Sequence, residues 1–451
     1  MKNKLLIPIR VIIVSFLFSA FFALAFAHPL YEDDASQYDQ AGWNIASRNG
    51  FSLSQSQPFT PTMSREPLYP FFLAVIYKIF GHNHSSIRLF QIIIFCLTCL
   101  LVYDLAKEIF GERVAKYSAF LTALSPTLAN YASYLLTETI FTFLLCLTVS
   151  LLTKSMKKRL TGYFFISGIT LGLSIICKAA LLPFFIIAAL GIFLSDKNYA
   201  DLLRRQAIHV IVFILGILIV VTPWSLRNHR IFGTYQISLR GGAALWEMSQ
   251  KLNDSAEDIK HEMVFNFSEY LGSKMFPGLV ENPRDFILQG SKKSHEKERE
   301  LEKGGLTPVE IDAMMKREAV EKITLQPIKF LIHIPVEFIK MTAFVYVPSL
   351  NEPYLTARFS KFKKGPLMLS SIRAIFRLSA YPILILVVIG ILSARRSWRN
   401  WYFLLAVIIY INLIYSMLFA MGRYAVPLIP FYSIFAAVGF LRLLNRRATD
   451  I

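Results

Sequence analysis

Charged residues are scarce in this 451-residue chain. Asp, Glu, Lys and Arg together make up 17% of it, whereas hydrophobic residues make up 55%. The apolar residues form many separate long runs, too many to be the cores of soluble domains of ordinary composition. The composition therefore predicts an integral membrane protein.

Motifs of several soluble enzyme classes are also missing. The sequence contains no Walker loop, no dinucleotide-binding glycine pattern, no His-rich metal motif and no nucleophile elbow. Its four cysteines all fall within or at the end of apolar runs, where they pack as small apolar residues. These absences argue against soluble nucleotide-sugar chemistry, and no set of metal ligands is predicted.

Ten apolar runs have about the length, roughly 15 to 20 residues, that is needed to cross a hydrocarbon core. They predict an all-α polytopic membrane protein with about ten transmembrane helices. The runs are residues 11–27, 89–106, 117–136, 139–153, 163–177, 179–194, 208–224, 378–392, 401–420 and 424–441.

Basic residues flank alternate short loops, as expected for loops that are retained in the cytoplasm. This pattern places both termini of a multi-pass protein in the cytoplasm. The first run also resembles a cleavable signal peptide, but retention is favoured because nine spans follow it. The formal charge of +18 is assigned to topology and to contact with anionic membrane lipids, so nucleic acid is not expected as a partner.

Two regions interrupt the spans on the external side and divide the chain. Residues 1–224 form a predicted catalytic domain of seven spans, with a first external loop at 28–88 that carries two interfacial helices. Residues 225–372 form a smaller periplasmic or interfacial region, and residues 373–451 a three-span segment. The run 330–347 is interpreted as interfacial, because charges within it are costly in hydrocarbon; if it spans, the number of helices becomes eleven.

One helix start is predicted inside the periplasmic region. Thr307 has the character of an N-cap, Pro308 suits the first helical position, and Glu310 stands where a capping-box contact returns to the cap. This pattern concerns local folding and carries no chemistry.

Acidic residues are concentrated at two external positions. Glu32, Asp33 and Asp34 follow the first span, and because they repel one another, at least one should have a raised pKa or lie near a cation. Such a carboxylate suits a general base. Glu138 occupies an otherwise uncharged hairpin between the third and fourth spans. The alternative interpretations are a solvated acidic turn for the first group and a favourable helix-dipole position for Glu138.

Four cations lie on the side of the membrane that is normally depleted of them. Guanidinium and ammonium groups there would stabilise a lipid-phosphate leaving group. For each one alone, snorkelling to the interface is an equal alternative. The four are Arg65, Lys178, Arg227 and Arg423.

Four short motifs together resemble a known set. They are Asp34-x-x-x-Tyr38, Arg65-Glu66-Pro67-Leu68-Tyr69-Pro70, Leu136-Thr137-Glu138 and Arg423-Tyr424. The chain resembles the C-type membrane glycosyltransferases, and within them the bacterial branch related to dolichyl-phosphate-mannose protein mannosyltransferases and to the lipid A aminoarabinose transferase. The resemblance is strongest over residues 28–240.

This resemblance implies an inverting transfer of a sugar from a polyprenyl-phosphate donor to an acceptor hydroxyl at the outer face of a bacterial inner membrane. It assigns the base to Asp34, with Asp33 as the alternative, and places Glu138 in the site. It implies no certain cofactor, although paired acids could hold a divalent cation with a phosphate. The donor and acceptor would be contacted by Tyr38, Arg65, Glu66, Lys178, Arg227, Arg423 and Tyr424.

Other functions predict other features. A polysaccharide polymerase or ligase would keep an external site but use a lipid-diphosphate glycan. A lipid or sugar transporter would place ionisable residues near the middle of spans and show related halves, and neither feature is present in the sequence. The glycosyltransferase interpretation is preferred, with the acceptor left open among protein, lipid and glycan.

Overall fold

The computed structural model describes residues 2–25, 33–193, 200–279, 289–343, 361 and 365–444. Within these ranges the chain is helical and has no β-strand; Ser52 and Pro61 form one isolated β-bridge. Six helices are long and apolar enough to cross a membrane, and four shorter helices are apolar as well. The predicted all-α polytopic membrane fold is confirmed.

The first half of the chain contributes ten α-helices to the described residues. They are α1 (Lys2–Ala25), α2 (Asp33–Ala46), α3 (Leu68–Phe80), α4 (His84–Phe110), α5 (Glu112–Ala123), α6 (Pro126–Tyr131), α7 (Glu138–Lys158), α8 (Thr161–Cys177), α9 (Phe184–Phe193) and α10 (Ala200–Phe232).

Ten further α-helices follow within the described residues. They are α11 (Gly241–Lys251), α12 (Ala256–Phe267), α13 (Glu269–Met275), α14 (Gln289–Lys303), α15 (Pro308–Leu325), α16 (Pro327–Ala343), α17 (Gly365–Leu378), α18 (Ala380–Ala394), α19 (Tyr402–Ser416) and α20 (Ile429–Leu444).

The chain divides into two compact units. The first comprises residues 1–237, 383–410 and 426–451, and the second comprises residues 238–382 and 411–425. The predicted division into a catalytic domain (1–224), a periplasmic or interfacial region (225–372) and a three-span segment (373–451) stays a prediction.

Close helix packing in the first unit depends on glycine. A Cβ atom on Gly168 of α8 would lie 2.0 Å from the carbonyl oxygen of Phe213, and one on Gly216 of α10 would lie 2.4 Å from that of Phe165. Small residues at such positions let helix backbones approach each other, as is common between membrane helices. The two backbones therefore pack directly against each other.

The second unit contains its own apolar core. Trp246 and Ala243 of α11 pack with Ile311, Met315 and Ala319 of α15. The predicted start of α15 is confirmed, because Thr307 and Glu310 form the expected capping box and Pro308 is the first helical residue.

The predicted third span, residues 117–136, is wrong as a single helix. α5 ends at Ala123, and α6 begins at Pro126 after Ser125, whose hydroxyl accepts a hydrogen bond from the Leu128 amide. Proline has no amide hydrogen with which to continue the preceding helix, and a serine before it favours a new start. The chain then leaves α6 at Tyr131 and turns before α7.

The first external loop contains the two helices predicted for it, α2 and α3. Residues 327–343 of the ambiguous run are helical as α16, and residues 344–347 lie outside the described ranges. Placement of these helices in the membrane interface stays a prediction.

Candidate functional site

An ion pair joins the first turn of α2 to the segment before α3. The Arg65 Nη2 atom donates to Asp34 Oδ1 over 2.5 Å, and Arg65 Nε donates to Gln37 Oε1 over 2.9 Å. The Arg65 side chain is buried, with a relative exposure of 5%, whereas that of Asp34 is 16% exposed. A planar guanidinium that contacts two side chains of one helix fixes their orientation.

Tyr38 lies one turn further along α2, beneath the guanidinium. The Arg65 Cζ atom is 5.3 Å from the centre of the Tyr38 ring, and the Tyr38 ring packs edge-on against Tyr69 at 5.2 Å. Cation–π contact of this kind stabilises a buried guanidinium. Two residues predicted separately from their motifs are thus in contact.

The electrostatics of Tyr38 show which charges surround it. Burial raises the pKa of the Tyr38 phenol, Glu66 and Asp34 raise it further, and Arg65 and Lys178 act in the opposite direction. Tyr38 is therefore a neutral hydrogen-bonding group placed among two acids and two cations.

The charge on Arg65 is reinforced by its neighbours. Burial alone would lower the pKa of Arg65, but the Asp34 carboxylate, Tyr38 and Glu66 outweigh it and raise the pKa. The pair is thus an ionised guanidinium held against an acid rather than two independent surface charges.

A second ion pair links the start of α7 to the end of α8. Lys178 Nζ donates to Glu138 Oε1 over 3.1 Å, and the two side chains are 13% and 2% exposed. Oε2 of Glu138 is buried without a hydrogen-bond partner among the described residues. The pair therefore presents a carboxylate oxygen that can accept a further hydrogen bond.

A buried glutamine supports this site from α4. Tyr69 donates its hydroxyl proton to Gln91 Oε1 over 2.6 Å, and Gln91 Nε2 donates to the carbonyl oxygens of Ala132 and Tyr134. These bonds tie α3 to the turns that precede Glu138.

Neither Gln37 nor Gln91 was predicted from the sequence. The sequence feature that could have indicated Gln91 is its amide side chain within an otherwise apolar run.

Arg227 contacts a different part of the first external loop. Its guanidinium lies over the rings of Trp224, Phe51 and Phe232, at 4.7, 5.6 and 5.3 Å, and Nη1 donates to the Thr62 carbonyl oxygen over 2.9 Å. In this structure Arg227 fastens the loop to the end of α10, and its predicted contact with substrate stays a prediction.

Two further predicted residues, Arg423 and Tyr424, belong to the second unit. There Arg423 lies over the Tyr424 ring at 5.5 Å, and Tyr424 stacks on Tyr415 at 4.4 Å. Glu32 and the side chain of Asp33 are outside what the structure describes. The structure thus brings together six predicted residues of the first unit, namely Asp34, Tyr38, Arg65, Glu66, Glu138 and Lys178.

Comparison with known proteins agrees with the motifs. Residues 60–226 match the family described as dolichyl-phosphate-mannose-protein mannosyltransferase. Undecaprenyl phosphate-alpha-4-amino-4-deoxy-L-arabinose arabinosyl transferases of Pseudomonas aeruginosa and Pseudomonas paraeruginosa are 29% identical to this chain over 166 residues. This match covers 35% of the chain and 29% of the length of those relatives.

A solved structure shares the fold over most of the chain. The archaeal oligosaccharyltransferase AglB from Archaeoglobus fulgidus has a TM-score of 0.51 and 14% identity, and the match covers 98% of this chain and 52% of AglB. These comparisons confirm the resemblance to the C-type membrane glycosyltransferase superfamily that the motifs indicated.

Proposed function

From this resemblance to the C-type membrane glycosyltransferases, we propose that the protein is an inverting glycosyltransferase. It transfers a sugar from a polyprenyl-phosphate donor to an acceptor hydroxyl at the outer face of the inner membrane. The observation that carries the proposal is the clustering of two acid–cation pairs, Asp34–Arg65 and Glu138–Lys178, around Tyr38. Three of these four charged residues lie within the matched range, residues 60–226.

Asp34 is the general base in this proposal. Its carboxylate takes the proton of the acceptor hydroxyl as the acceptor oxygen bonds to the anomeric carbon. The bond from that carbon to the phosphate oxygen breaks, and the electron pair leaves with the polyprenyl phosphate. Attack from the opposite side of the sugar inverts the anomeric configuration.

The cations have two different tasks. Arg65 contacts the base directly, so we assign it to holding Asp34 ionised and oriented. Lys178 lies beside the buried Glu138 carboxylate, and its ammonium group is suited to stabilise the negative charge that develops on the leaving phosphate. Arg227 and Arg423 remain candidates for phosphate contact, and a divalent cation shared by the acids and the phosphate remains a further candidate.

The proposal is tested by comparing purified wild-type protein with Asp34→Asn and Asp33→Asn, using a panel of radiolabelled polyprenyl-phosphate hexoses and pentoses. Each reaction contains a membrane lipid extract or periplasmic protein as acceptor source. We expect wild type to consume one donor and Asp34→Asn to lose on the order of 100-fold or more in rate, as expected when a general base is removed. Glu257→Gln, an exposed acid of α12, serves as the matched control and should retain full rate.

The other outcomes are equally informative. Loss of activity in Asp33→Asn alone would move the base to Asp33. Consumption of lipid-diphosphate glycans only would favour the polymerase or ligase, and failure with every donor would contradict the proposed function. The anomeric configuration of the product, read by NMR, tests inversion separately.

A further inference from the structure

We propose that Asp39, His82 and His84 form a binding site for a divalent transition-metal ion, for which Zn²⁺ fits the ligand set. The three residues belong to the first unit and do not include the acids assigned to sugar transfer. Among the described residues, this is the one group of three His, Cys, Asp or Glu side chains whose ligand atoms all lie within 4.8 Å of one another.

Both imidazoles direct the same ring nitrogen at one carboxylate. Nε2 of His82 is 2.9 Å from Asp39 Oδ1 and 3.0 Å from Oδ2, and Nε2 of His84 is 3.1 Å from Oδ1. In tetrahedral zinc sites with bonds of about 2 Å, neighbouring ligand atoms lie about 3.3 Å apart. The three Nε2–carboxylate distances are therefore within a few tenths of an ångström of the value in a zinc site.

A third contact holds the Asp39 carboxylate in place. Its Oδ1 atom also accepts a hydrogen bond from the Tyr77 hydroxyl. A ligand whose orientation is fixed by a neighbouring group is typical of metal sites.

Local sequence sets the two histidines on either side of a helix cap. Gly81, with φ of +72°, ends α3 in a conformation that glycine adopts readily, and Asn83 caps α4. His82 therefore precedes the cap and His84 follows it. The Trp43 ring stacks on His82 at 4.7 Å and fixes the orientation of that imidazole.

The site is open on one side. The side chains of His82 and His84 are 38% and 31% exposed, whereas that of Asp39 is 11% exposed. Solvent can deliver a metal ion and supply a fourth ligand, as in zinc sites with three protein ligands. Neutral imidazole and carboxylate are also ligands that zinc binds well.

A bound metal would fasten α2 to the junction between α3 and α4. Asp39 lies on the same helix as Asp34 and Tyr38, so the ion would hold the helix that carries the base without contacting substrate. The competing interpretation is a metal-free network in which each histidine donates its Nε2 proton to Asp39.

Metal binding to the purified full-length protein distinguishes these interpretations. The protein is prepared without a polyhistidine tag, stripped with a chelator, and titrated with Zn²⁺ against a chromophoric competitor. We expect one tight equivalent in wild type and a loss of at least about 100-fold in affinity in the His82→Ala/His84→Ala variant. His295→Ala, an exposed histidine of α14, is the matched control and should bind zinc as wild type does.

Cobalt supplies a second readout that does not depend on activity. Co²⁺ bound to the wild-type site should show the visible absorption of a four-coordinate ion, absent from the double variant. If the double variant does not fold, wild type alone remains decisive, because Zn²⁺ should raise its Tm and EDTA should reverse the rise. Absence of a stoichiometric site in wild type, or zinc binding equal in wild type and a folded double variant, would overturn the proposal whatever the outcome for sugar transfer.

Discussion

The Glu138–Lys178 pair shows how strongly a buried charge depends on its partner. Glu138 is almost fully buried at the start of α7, and its Oε1 atom accepts from Lys178. Removing water from a carboxylate costs several kcal/mol, which the cation offsets only while it is present. The two residues therefore act as a unit in folding, whatever their task in catalysis.

We expect Lys178→Met to destabilise the protein by about 3–5 kcal/mol, because it leaves the Glu138 carboxylate buried without a cation. The Glu138→Gln/Lys178→Met double variant should be closer to wild type, since the charge is removed with its partner. Denaturant unfolding in detergent of wild type, both single variants and the double variant measures the coupling energy. Additive effects of the two single substitutions would contradict the ion pair.

The sequence predicts the charged residues of the candidate site but not the residues that support them. Arg65, Glu138, Lys178 and the group 32–34 stand out because charge is rare beside apolar runs. The resemblance then selects Asp34 from that group. It does not show that Arg65 bonds to Asp34, because these residues are 31 positions apart. Gln37 and Gln91 carry no charge, and their role appears only when the helices are packed.

At the level of elements, α16 contains residues that are costly in hydrocarbon, and the structure pairs them. Glu337 Oε1 accepts from Lys251 at 3.1 Å and from Lys340 at 2.8 Å, while Oε2 accepts from the Ala420 amide at 2.8 Å. Glu262 of α12 completes the group by accepting from Lys340 at 2.6 Å. This cluster joins α11, α12 and α16 to the segment that precedes Arg423 within the second unit.

We expect Glu337→Gln to destabilise the second unit by about 3–5 kcal/mol, because two buried lysines would then share a single glutamate. Glu321→Gln, an exposed position in α15, should change stability by less than about 0.5 kcal/mol. Denaturant unfolding in detergent, followed by Trp fluorescence, compares the two variants. Equal stability of both would show that the cluster contributes nothing to the fold.

Apolar runs predicted most elements but not the breaks within them. The run 117–136 contains no charged residue, yet the helix divides there, because Ser125 caps a new helix and Pro126 begins it. Whether the run 330–347 spans the membrane is ambiguous for a different reason, namely that its charged residues have distant partners. The charges of α16 are buried against partners as distant in sequence as Lys251, and no local pattern reveals such partners.

At the level of the whole molecule, the side of the membrane on which each loop lies is the property on which the proposed chemistry depends. The described part of the chain contains six long apolar helices and four shorter ones, while loop charge predicts their orientation. The first external loop and the loop between α7 and α8 should lie on opposite sides, because an odd number of predicted spans separates them.

Cysteine labelling of this orientation has a low background, because Cys96, Cys99, Cys146 and Cys177 are all buried. Ser56 is an exposed position in the first external loop, and Thr161 is the exposed first residue of α8, next to the loop between α7 and α8. In spheroplasts, a membrane-impermeant maleimide should label Ser56→Cys and leave Thr161→Cys unlabelled, and both should react after permeabilisation. Labelling of Thr161→Cys in intact spheroplasts would show that the orientation is the reverse of the predicted one. Asp34 and Arg65 would then lie on the cytoplasmic side, which contradicts sugar transfer at the outer face.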